Sequence, residues 1–459
     1  MVKKMIGKTQ KKRKKNYVKW SHLNPPQMFA LSFIALIIIG TLLLKLPFAT
    51  VNGTSLSFID ALFEATSAVC VTGLVVVDTG TTFTVFGQIV IMLLIQMGGL
   101  GFMTFGVLIA LLFGKNIGLQ SRLMIQESFN QNRLEGMVRL VKFIFIFTII
   151  METIGAFILT LSWLNEFGFW KASFYGLFHS ISAFNNAGFD LIGNYQSLTA
   201  YNGNFPIIMT ISGLIIIGGL GFTVVLDIWK RRLWKKYSLQ TKLVILLTIF
   251  FIVLGTMAIY FMEFDNEKTL GNLSPGEKWL AAFFHSVVPR TAGFNSLSTS
   301  DLTLSSQLLT VIFMFIGGGS GGTAGGIKLT TFAIILFSLI TIIRGNNNVH
   351  VMKRMIQRDL IYRAYAITVF SFFVVSTVLF VLTITEKAPL NVLLFEVVSA
   401  FGTVGMSLGY TSELTAVGKI LIALLMFAGR VGPLTLAFAL TKKKEKETFH
   451  YSEETIMIG

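Results

Sequence analysis

Apolar residues along this chain are gathered into long runs separated by shorter polar segments. Eight runs can be traced, at Met28–Pro47, Phe86–Phe113, Phe143–Trp163, Phe205–Ile228, Leu243–Met262, Leu308–Ile343, Ala364–Ile384 and Ile420–Leu440. Each run is near or above the ~20 residues that a helix needs to cross the hydrocarbon core of a bilayer. The pattern therefore predicts eight transmembrane helices, with both chain termini on the same side of a lipid bilayer.

Four shorter segments between these runs share one frame. They read LFEATSAVCVTG at 62–73, LFHSISAFNNAG at 177–188, FFHSVVPRTAG at 283–293 and LFEVVSAFGTVG at 394–405. Each contains an aromatic residue near its start, then Glu or His, a serine, and a final glycine. The final glycines Gly73, Gly188, Gly293 and Gly405 recur at roughly equal spacing, the signature of an internal repeat. The third segment is one residue shorter than the others.

The frame predicts a short helix that enters the membrane and stops part-way. Ser57 with Asp60 and Ser274 with Glu277 have the spacing of capping boxes, and Pro275 and Pro389 are proline signals for a first helical position. Ten to twelve residues of helix would be ~15–18 Å long, about half of the hydrocarbon core. We therefore predict an all-α polytopic membrane protein. Four helix–pore-helix–helix repeats, with eight transmembrane helices and four half-membrane pore helices, would surround one central pore.

The repeats divide the chain into repeat units and polar connections. The predicted parts are a basic arm 1–26, repeats 27–113, 141–229, 243–343 and 364–440, loops 114–140, 230–242 and 344–363, and a tail 441–459. A second motif supports this frame, since Gly98-Gly99-Leu100-Gly101-Phe102 recurs as Gly218–Phe222. Gly317–Gly319 and Gly429–Gly432 occupy the corresponding places in the third and fourth repeats.

Charge sets the predicted orientation. The chain is 53% hydrophobic and 13% charged with a net charge of +16, whereas a soluble protein carries about 25% charged residues. Of its 38 Lys and Arg residues, 29 lie in the two terminal segments and in alternate loops, which by the positive-inside rule places both termini in the cytoplasm. Since these charges flank the membrane, they do not indicate nucleic-acid binding. Cys70 is the sole cysteine, which excludes an internal disulfide and a cysteine metal site.

The glycine-terminated segments predict a pathway for a cation. Non-helical backbone within a membrane is tolerated where it lines a wet cavity, and its carbonyl oxygens can replace the water shell of an ion. Glycine permits the required conformation without a Cβ clash. Because the segments bring no acidic ring, the carbonyl dipoles favour a weakly hydrated monovalent cation. The candidate filter residues are Cys70, Val71, Thr72, Gly73, Asn185, Asn186, Ala187, Gly188, Arg290, Thr291, Ala292, Gly293, Gly402, Thr403, Val404 and Gly405.

These segments resemble the filter of the Trk/Ktr/HKT superfamily of K⁺ transporters. The resemblance extends over nearly the whole chain, is closest to the membrane subunits of bacterial Ktr systems, and includes VTGLVVVDTGTTFTVFGQ, QMGGLGFMTFGVLIALLFGK, SAFNNAGF, PRTAGFNS, GGTAGGIKLTTF and SAFGTVG. It implies K⁺ uptake across a bacterial cell membrane, a homodimer with one pore per chain, and a cytoplasmic KtrA-like ring of nucleotide-binding regulatory subunits. K⁺ at the filter carbonyls is the one metal expected, without an organic cofactor. A single glycine per segment leaves Na⁺ conduction or Na⁺ coupling as the alternative.

A glycine-rich stretch interrupts the sixth apolar run. We interpret it as a flexible intramembrane loop that gates the pore, as the resemblance also implies; the alternative is a glycine-lined helix packing face or a helix kink. A phosphate-binding loop is excluded because Ile327 precedes Lys328 and the required Gly-Lys pair is absent. The candidate gate residues are Gly317, Gly318, Gly319, Ser320, Gly321, Gly322, Thr323, Ala324, Gly325, Gly326, Lys328 and Arg430. Arg430 lies in an apolar run, where a charge is usually functional or paired, and we expect it to hold the loop closed by hydrogen bonding. The alternative is a buried structural arginine that fixes helix packing.

Three charged or titratable residues near the predicted filter call for a structural role. Arg290 would repel a cation if it pointed into the pathway, so we expect it to turn away and pair with Glu64 or Glu396. His179 and His285 have no cysteine or carboxylate cluster beside them, and we expect both to be hydrogen-bonded structural residues. The basic loops 114–141 and 230–242 and the tail 442–459 offer a surface for a regulator or are simply solvated flanks.

Two other functions fit less well. A secondary transporter of organic solutes typically has two inverted repeats with broken helices, whereas these four units run in the same direction. An enzyme would need a nucleophile with its base, a metal-ligand cluster or paired acids at one depth, and the sequence places none of these together.

Overall fold

The structure is a computed structural model that describes residues 25–101 and 137–432 together with Thr435 and Glu454. The predicted loop 114–140 and tail 441–459 lie almost wholly outside the described residues, as do most of the basic arm and residues 102–113.

The described helices follow the predicted order of four units. The first unit contains α1 (Pro25–Leu44), α2 (Phe58–Cys70) and α3 (Val85–Leu100), and the second contains α4 (Met137–Phe184), α5 (Phe205–Leu220) and α6 (Phe222–Arg231). The third contains α7 (Leu239–Glu263), α8 (Pro275–Val287), α9 (Leu304–Phe315) and α10 (Leu329–Ile343), and the fourth α11 (Arg358–Thr385), α12 (Leu390–Gly402) and α13 (Ala416–Val431). A small antiparallel hairpin, β1 (His350–Val351) and β2 (Arg354–Met355), precedes α11.

Local capping explains where the short helices begin. Ser57 accepts a hydrogen bond from the Asp60 amide (3.1 Å), and the Ser274 amide donates to Glu277 Oε2 (2.9 Å) as half of a capping box. Pro389 caps α12, and the helix begins at Leu390, one residue later than predicted. In the second unit the long helix and the short helix are merged into α4, which departs from helical geometry at Gly168 (φ +73°).

Helix lengths differ from the prediction of eight continuous spans. Among the described residues, α1, α4, α7 and α11 are long and apolar enough to cross a membrane, whereas α5 and α6 reach that length only together and are bent by 92° at the break between them. The second helix is short in every unit because it stops at the glycine motif. Gly101, Gly221 and Gly432 follow α3, α5 and α13 with φ of +81°, +95° and +92°, a conformation that glycine adopts readily.

Burial separates the short helices from the long ones. The aromatic residue of the shared frame is 0–1% exposed in each unit, as Phe63, Phe178, Phe284 and Phe395. The long helices instead carry large apolar side chains on the surface, including Leu42, Phe157, Phe261 and Phe380 at 59–71% exposure. This inside-out pattern is that of a helical membrane protein whose long helices face lipid and whose short helices surround its centre.

Candidate functional site

The final glycines of the four segments meet at the centre of the molecule. Gly73, Gly188, Gly293 and Gly405 all have positive φ, between +70° and +90°. A Cβ atom on Gly188 or Gly293 would lie 2.7 Å from a carbonyl oxygen of the next unit, and one on Gly73 or Gly405 would lie still closer to such an oxygen. Starting from Gly73, these oxygens belong in order to Ala187, Ala292, Val404 and Thr72. The segments thus close a ring in the sequence order of the units.

A second strained residue precedes each glycine by two positions. Val71, Asn186, Thr291 and Thr403 have φ between +49° and +78°. Positive φ is uncommon for residues other than glycine and for β-branched residues is a genuine outlier. The surrounding structure therefore imposes this conformation, and such imposed strain is typical of functional sites.

Hydrogen bonds to the short helices fix the backbone of each segment. The amides of Thr72, Ala187 and Val404 donate to carbonyl oxygens five residues earlier, at 2.7–2.8 Å. The Ala292 amide donates to Val288, four residues earlier, at 3.0 Å. The third segment, which is one residue shorter in sequence, therefore makes a tighter turn. The residue before each glycine thus directs its amide back toward the short helix of its own unit. The carbonyl oxygen of that residue is therefore available at the ring.

The serine of the shared frame holds the glycine in two units. Ser67 Oγ accepts from the Gly73 amide and Ser399 Oγ from the Gly405 amide, both at 3.1 Å. In the second unit Ser182 Oγ donates to the Phe189 carbonyl (2.7 Å). In the third unit Ser286 Oγ turns to the Ile252 carbonyl (2.8 Å) on α7. The serines of the second and third units therefore do not support their glycines in this way.

In the first, second and fourth units the Glu or His of the frame ties the outgoing chain to the short helix. Glu64 accepts from the amides of Val76 (2.8 Å) and Val77 (3.1 Å), and His179 Nε2 accepts from the Leu191 amide (3.3 Å). Glu396 accepts from Thr411 Oγ1 (2.8 Å) and from the Ser407 hydroxyl. His285 Nε2 contacts Thr310 Oγ1 (3.2 Å) in the third unit. Both histidines are thus hydrogen-bonded structural residues, as predicted.

The first members of the predicted quartets lie behind the ring. Cys70 and Gly402 are the last residues of α2 and α12. Asn185 Nδ2 donates to Gln96 Oε1 (2.8 Å) and to Glu152 Oε1 (3.1 Å). This cluster joins α3 to α4. Its members Gln96 and Glu152 are not among the predicted site residues, although a carboxylate in an apolar run is a signal for a functional or paired group.

Arg290 turns away from the ring, but its predicted partner is wrong. Its guanidinium donates to Thr248 Oγ1 (3.0 Å) on α7, and the described residues contain no ion pair of Arg290. Glu64 and Glu396 instead accept hydrogen bonds from the chain that leaves their own segments. Because those carboxylates are held by their own units, Arg290 finds a neutral hydroxyl on the nearest helix.

A cavity of about 410 Å³ opens above the ring. All four glycines line it, together with Asp78 and Asp190 from the first two units and serine and threonine residues from the other two. No Lys or Arg is among these lining residues. Burial, and to a lesser extent the Asp78 charge, raises the pKa of Asp190 to about 7. The cavity, which we call the vestibule, is therefore polar and acidic on one side.

The glycine-rich stretch is a loop, so the helix packing face is ruled out. Residues 317–328 connect α9 to α10 without helical structure, and the Gly317 amide donates to the Ile327 carbonyl (2.8 Å) across the neck of the loop. The Gly319 amide donates to the Gly219 carbonyl (2.8 Å), and the Gly321 carbonyl accepts from the Phe222 amide (3.1 Å). The loop is thus attached to the break between α5 and α6.

The tip of the loop reaches the ring segments. Thr323 Oγ1 donates to Asn186 Oδ1 (3.3 Å) in the second segment. A Cβ on Gly325 would collide with the Thr403 side chain of the fourth segment. The Lys328 ammonium donates to the Ala324 carbonyl inside the loop, and Ser320 and Thr330 share a hydrogen bond (2.7 Å). The loop therefore lies against two opposite members of the ring.

Arg430 joins this loop to the first unit. Its guanidinium donates to the Thr323 carbonyl and to the carbonyl oxygens of Gly98 (2.6 Å) and Gly99 (3.0 Å). The last two are terminal carbonyls of α3, which carry partial negative charge and lack helical partners. The predicted hydrogen bonding between Arg430 and the loop is confirmed.

Close packing explains the second glycine motif. A Cβ on Gly98, Gly218 or Gly429 would overlap a carbonyl oxygen of the short helix in the same unit, at Val69, Phe184 and Phe401 respectively. Each of these carbonyls lies four residues before a ring glycine. The glycines let the second helix approach the end of the short helix and thereby set the position of the ring.

Comparison with known proteins gives one consistent family. The sequence model described as TrkH, cation transport protein, matches residues 4–451. The Ktr system potassium uptake protein B of Bacillus subtilis is 46% identical over 97% of this chain and 99% of its own length. The protein of the same name from Vibrio alginolyticus is 41% identical over 95% of both chains. The potassium/sodium uptake protein NtpJ of Enterococcus hirae is 39% identical over 95% of this chain and 98% of its own length.

A solved structure has the same fold. The potassium transporter TrkH from Vibrio parahaemolyticus superposes with a TM-score of 0.72, covering 94% of this chain and 87% of that one at 18% identity. The fold described above, with four units around a central ring, is therefore shared with a solved structure. The chain belongs to the TrkH family of cation transport proteins.

Proposed function

We propose that the chain is the K⁺-conducting membrane subunit of a bacterial potassium uptake system. The observation that carries the proposal is the ring of four positive-φ glycines, each too close to the next unit's carbonyl oxygen to carry a side chain. Relatives named as potassium uptake proteins over nearly the full chain support the choice of ion.

The filter we propose consists of backbone carbonyl oxygens from residues 70–73, 185–188, 290–293 and 402–405. The short helices α2, α8 and α12 and the end of α4 stop at these segments, so the negative ends of their dipoles favour a cation there. Neutral dipoles replace the water of a weakly hydrated monovalent ion more readily than that of a divalent one.

The loop 317–328 is the gate in this proposal. Its contacts with the second and fourth segments support a position across the pathway, on the side of the ring away from the vestibule. Arg430 and Lys328 hold its backbone carbonyls and would have to release them for the loop to move aside.

The assembly and location are part of the proposal. The relatives named as parts of Ktr systems support a chain that works with other components. The second copy with one pore in each chain, and the cytoplasmic nucleotide-binding ring, are what the resemblance of the sequence to the Trk/Ktr/HKT superfamily implies. We place the protein in the bacterial cell membrane with both termini in the cytoplasm, which the alternation of basic loops supports.

Na⁺ conduction or coupling is the second candidate, favoured by a relative named as a potassium/sodium uptake protein. Expression in cells that lack K⁺ uptake should restore growth at low external K⁺. Reversal potentials of the purified protein in bilayers, with K⁺ and Na⁺ on opposite sides, decide between the ions. A current that follows the Na⁺ gradient would overturn the K⁺ assignment, and the Gly188→Ser variant serves as the control with a damaged ring.

A further inference from the structure

The segment after the second unit forms an amphipathic shelf. This α6 shelf, residues 222–238, begins where the chain turns by 92° between α5 and α6. Asp227 on α6 accepts from the Ser238 amide (2.9 Å) and from Thr241 Oγ1 (2.7 Å), both at the start of α7. The shelf is therefore fixed beside the N-terminal turn of α7 and crosses the direction of α5.

The length of α7 gives the depth of the shelf. Its 25 residues make a helix of about 37 Å, longer than the ~30 Å hydrocarbon core. At its far end Glu263 accepts from the Thr303 amide (2.9 Å), the cap of α9, on the vestibule side of the molecule. With that end at one membrane boundary, the first turn of α7 and the shelf beside it lie at the opposite boundary.

The exposed side chains of the shelf suit that boundary. Trp229, Leu233 and Trp234 are 67%, 57% and 45% exposed, and the Trp234 ring lies 5.8 Å from that of Tyr237. Tryptophan and tyrosine favour the level of the lipid headgroups, where an apolar ring meets water. The two exposed tryptophans, Trp229 and Trp234, therefore lie at the level of the headgroup layer.

Basic residues lie beside these two tryptophans in the shelf. Five residues of the shelf are cationic and exposed, namely Lys230, Arg231, Arg232, Lys235 and Lys236. Arg231 forms an ion pair with Asp227 (2.8 Å), whereas none of the ion pairs between described residues involves the other four. Four cations within seven residues, beside two tryptophans, make a surface complementary to several phosphates in the plane of a membrane.

We propose that the α6 shelf is a binding site for the headgroups of anionic phospholipids. Lys230, Arg232, Lys235 and Lys236 bind the phosphates, and Trp229 and Trp234 insert between the adjoining acyl chains. A protein regulator would also be attracted by the charge, but it would leave the tryptophans at the headgroup level without a role. The site does not depend on which cation the chain carries.

The shelf is also attached to the glycine-rich loop. The Phe222 amide at the start of α6 donates to the Gly321 carbonyl (3.1 Å). Headgroup binding therefore stabilises one attachment of the loop, and, if the loop is the gate of the proposed function, K⁺ flux should change with the anionic lipid content of the membrane.

Lipid binding is tested on the purified full-length protein without measuring transport. Thermal unfolding is followed in detergent while phosphatidylglycerol or phosphatidylcholine is added. The shelf variant carries Lys230→Gln, Arg232→Gln, Lys235→Gln and Lys236→Gln. The matched control removes four exposed charges from the neighbouring basic loop, as Arg344→Gln, Lys353→Gln, Arg354→Gln and Arg358→Gln. We expect phosphatidylglycerol to raise the midpoint temperature of unfolding of the wild type and of the control. The affinity of the protein for phosphatidylglycerol should fall roughly fivefold for each shelf charge removed.

Equal responses of the shelf variant and the control would overturn the site. Soluble glycerol phosphate should have no effect, and a response equal to that of the lipid would indicate a free-phosphate site instead. Quenching of tryptophan fluorescence by brominated phosphatidylglycerol gives a second measurement that does not depend on the stability of the quadruple variant. Brominated phosphatidylglycerol should quench the wild type more than brominated phosphatidylcholine does, and Trp229→Phe with Trp234→Phe should remove that difference. A difference that the double variant leaves unchanged would contradict the proposal.

Discussion

Arg430 donates a hydrogen bond to the backbone carbonyl of Thr323, a residue 107 positions earlier in the chain. The same guanidinium binds the terminal carbonyls of α3 at Gly98 and Gly99. One side chain of the fourth unit thus joins the loop of the third unit to a helix of the first. A partly buried cation that is held by carbonyl oxygens rather than by a carboxylate can be released without leaving a buried anion behind.

The Arg430→Gln variant should open the pathway. A charge-assisted hydrogen bond contributes about 1.5–3 kcal/mol, so losing the one that Arg430 donates to the Thr323 carbonyl should shift the balance toward a displaced loop by about tenfold or more. K⁺ flux into vesicles should rise, and its response to a regulatory subunit should shrink. Arg430→Lys retains the charge but not the planar fork and should be intermediate. Unchanged flux in both variants would remove Arg430 from the gate.

Replacing the ring glycines by serine should damage ion preference at all four positions, because each Cβ meets a carbonyl oxygen of the next unit. The contacts are closest at Gly73 and Gly405, and there we expect the largest fall in the K⁺ to Na⁺ permeability ratio. Reversal potentials in paired ion gradients measure it. Gly53→Ser, at a positive-φ glycine with nothing within 4 Å, is the control for backbone strain alone. Four variants with unaltered ratios would mean that the ring is not the filter.

Two glycines of α5 offer a matched test of close packing. A Cβ on Gly218 would overlap the Phe184 carbonyl, whereas nothing lies within 4 Å of a Cβ on Gly213. We expect Gly218→Ala to lower the free energy of unfolding by about 1–3 kcal/mol through overpacking. Gly213→Ala should be neutral or stabilise by up to about 1 kcal/mol, because alanine favours the helix. Thermal unfolding in detergent compares the two, and equal effects would contradict the packing role of the motif.

Acidity on the vestibule side should reduce uptake. The pKa of Asp190 is raised to about 7, so its carboxyl gains a proton and loses its charge as the pH falls through that value. The vestibule then attracts cations less, and K⁺ uptake at low K⁺ should decline between pH 8 and pH 6. Asp190→Asn should show low uptake across that range without the step. If this variant kept the full pH dependence of uptake, that dependence would belong to another titratable group.

The sequence predicted the repeats because each unit must solve the same local problems. A run of apolar residues, a capped short helix and a glycine are encoded within a few turns, and the same phenylalanine is buried in all four units. The shorter third segment was visible for the same reason, and in the structure the Ala292 amide closes its smaller turn. Partner choice was harder to predict: Arg290 binds Thr248 because the carboxylates of Glu64 and Glu396 are already held by the chain that leaves each segment.

By itself the sequence determined the membrane class, the number of units and the glycines on which each segment turns. Those properties follow from hydropathy, helix capping and backbone freedom, which act over short stretches of chain. Only the tertiary structure decided that the second helices stop at their glycine motifs, that Gln96, Glu152 and Asn185 form a cluster, and that one arginine reaches the loop. Such contacts join residues far apart in the chain, and their distances depend on how four similar but unequal units close into one ring.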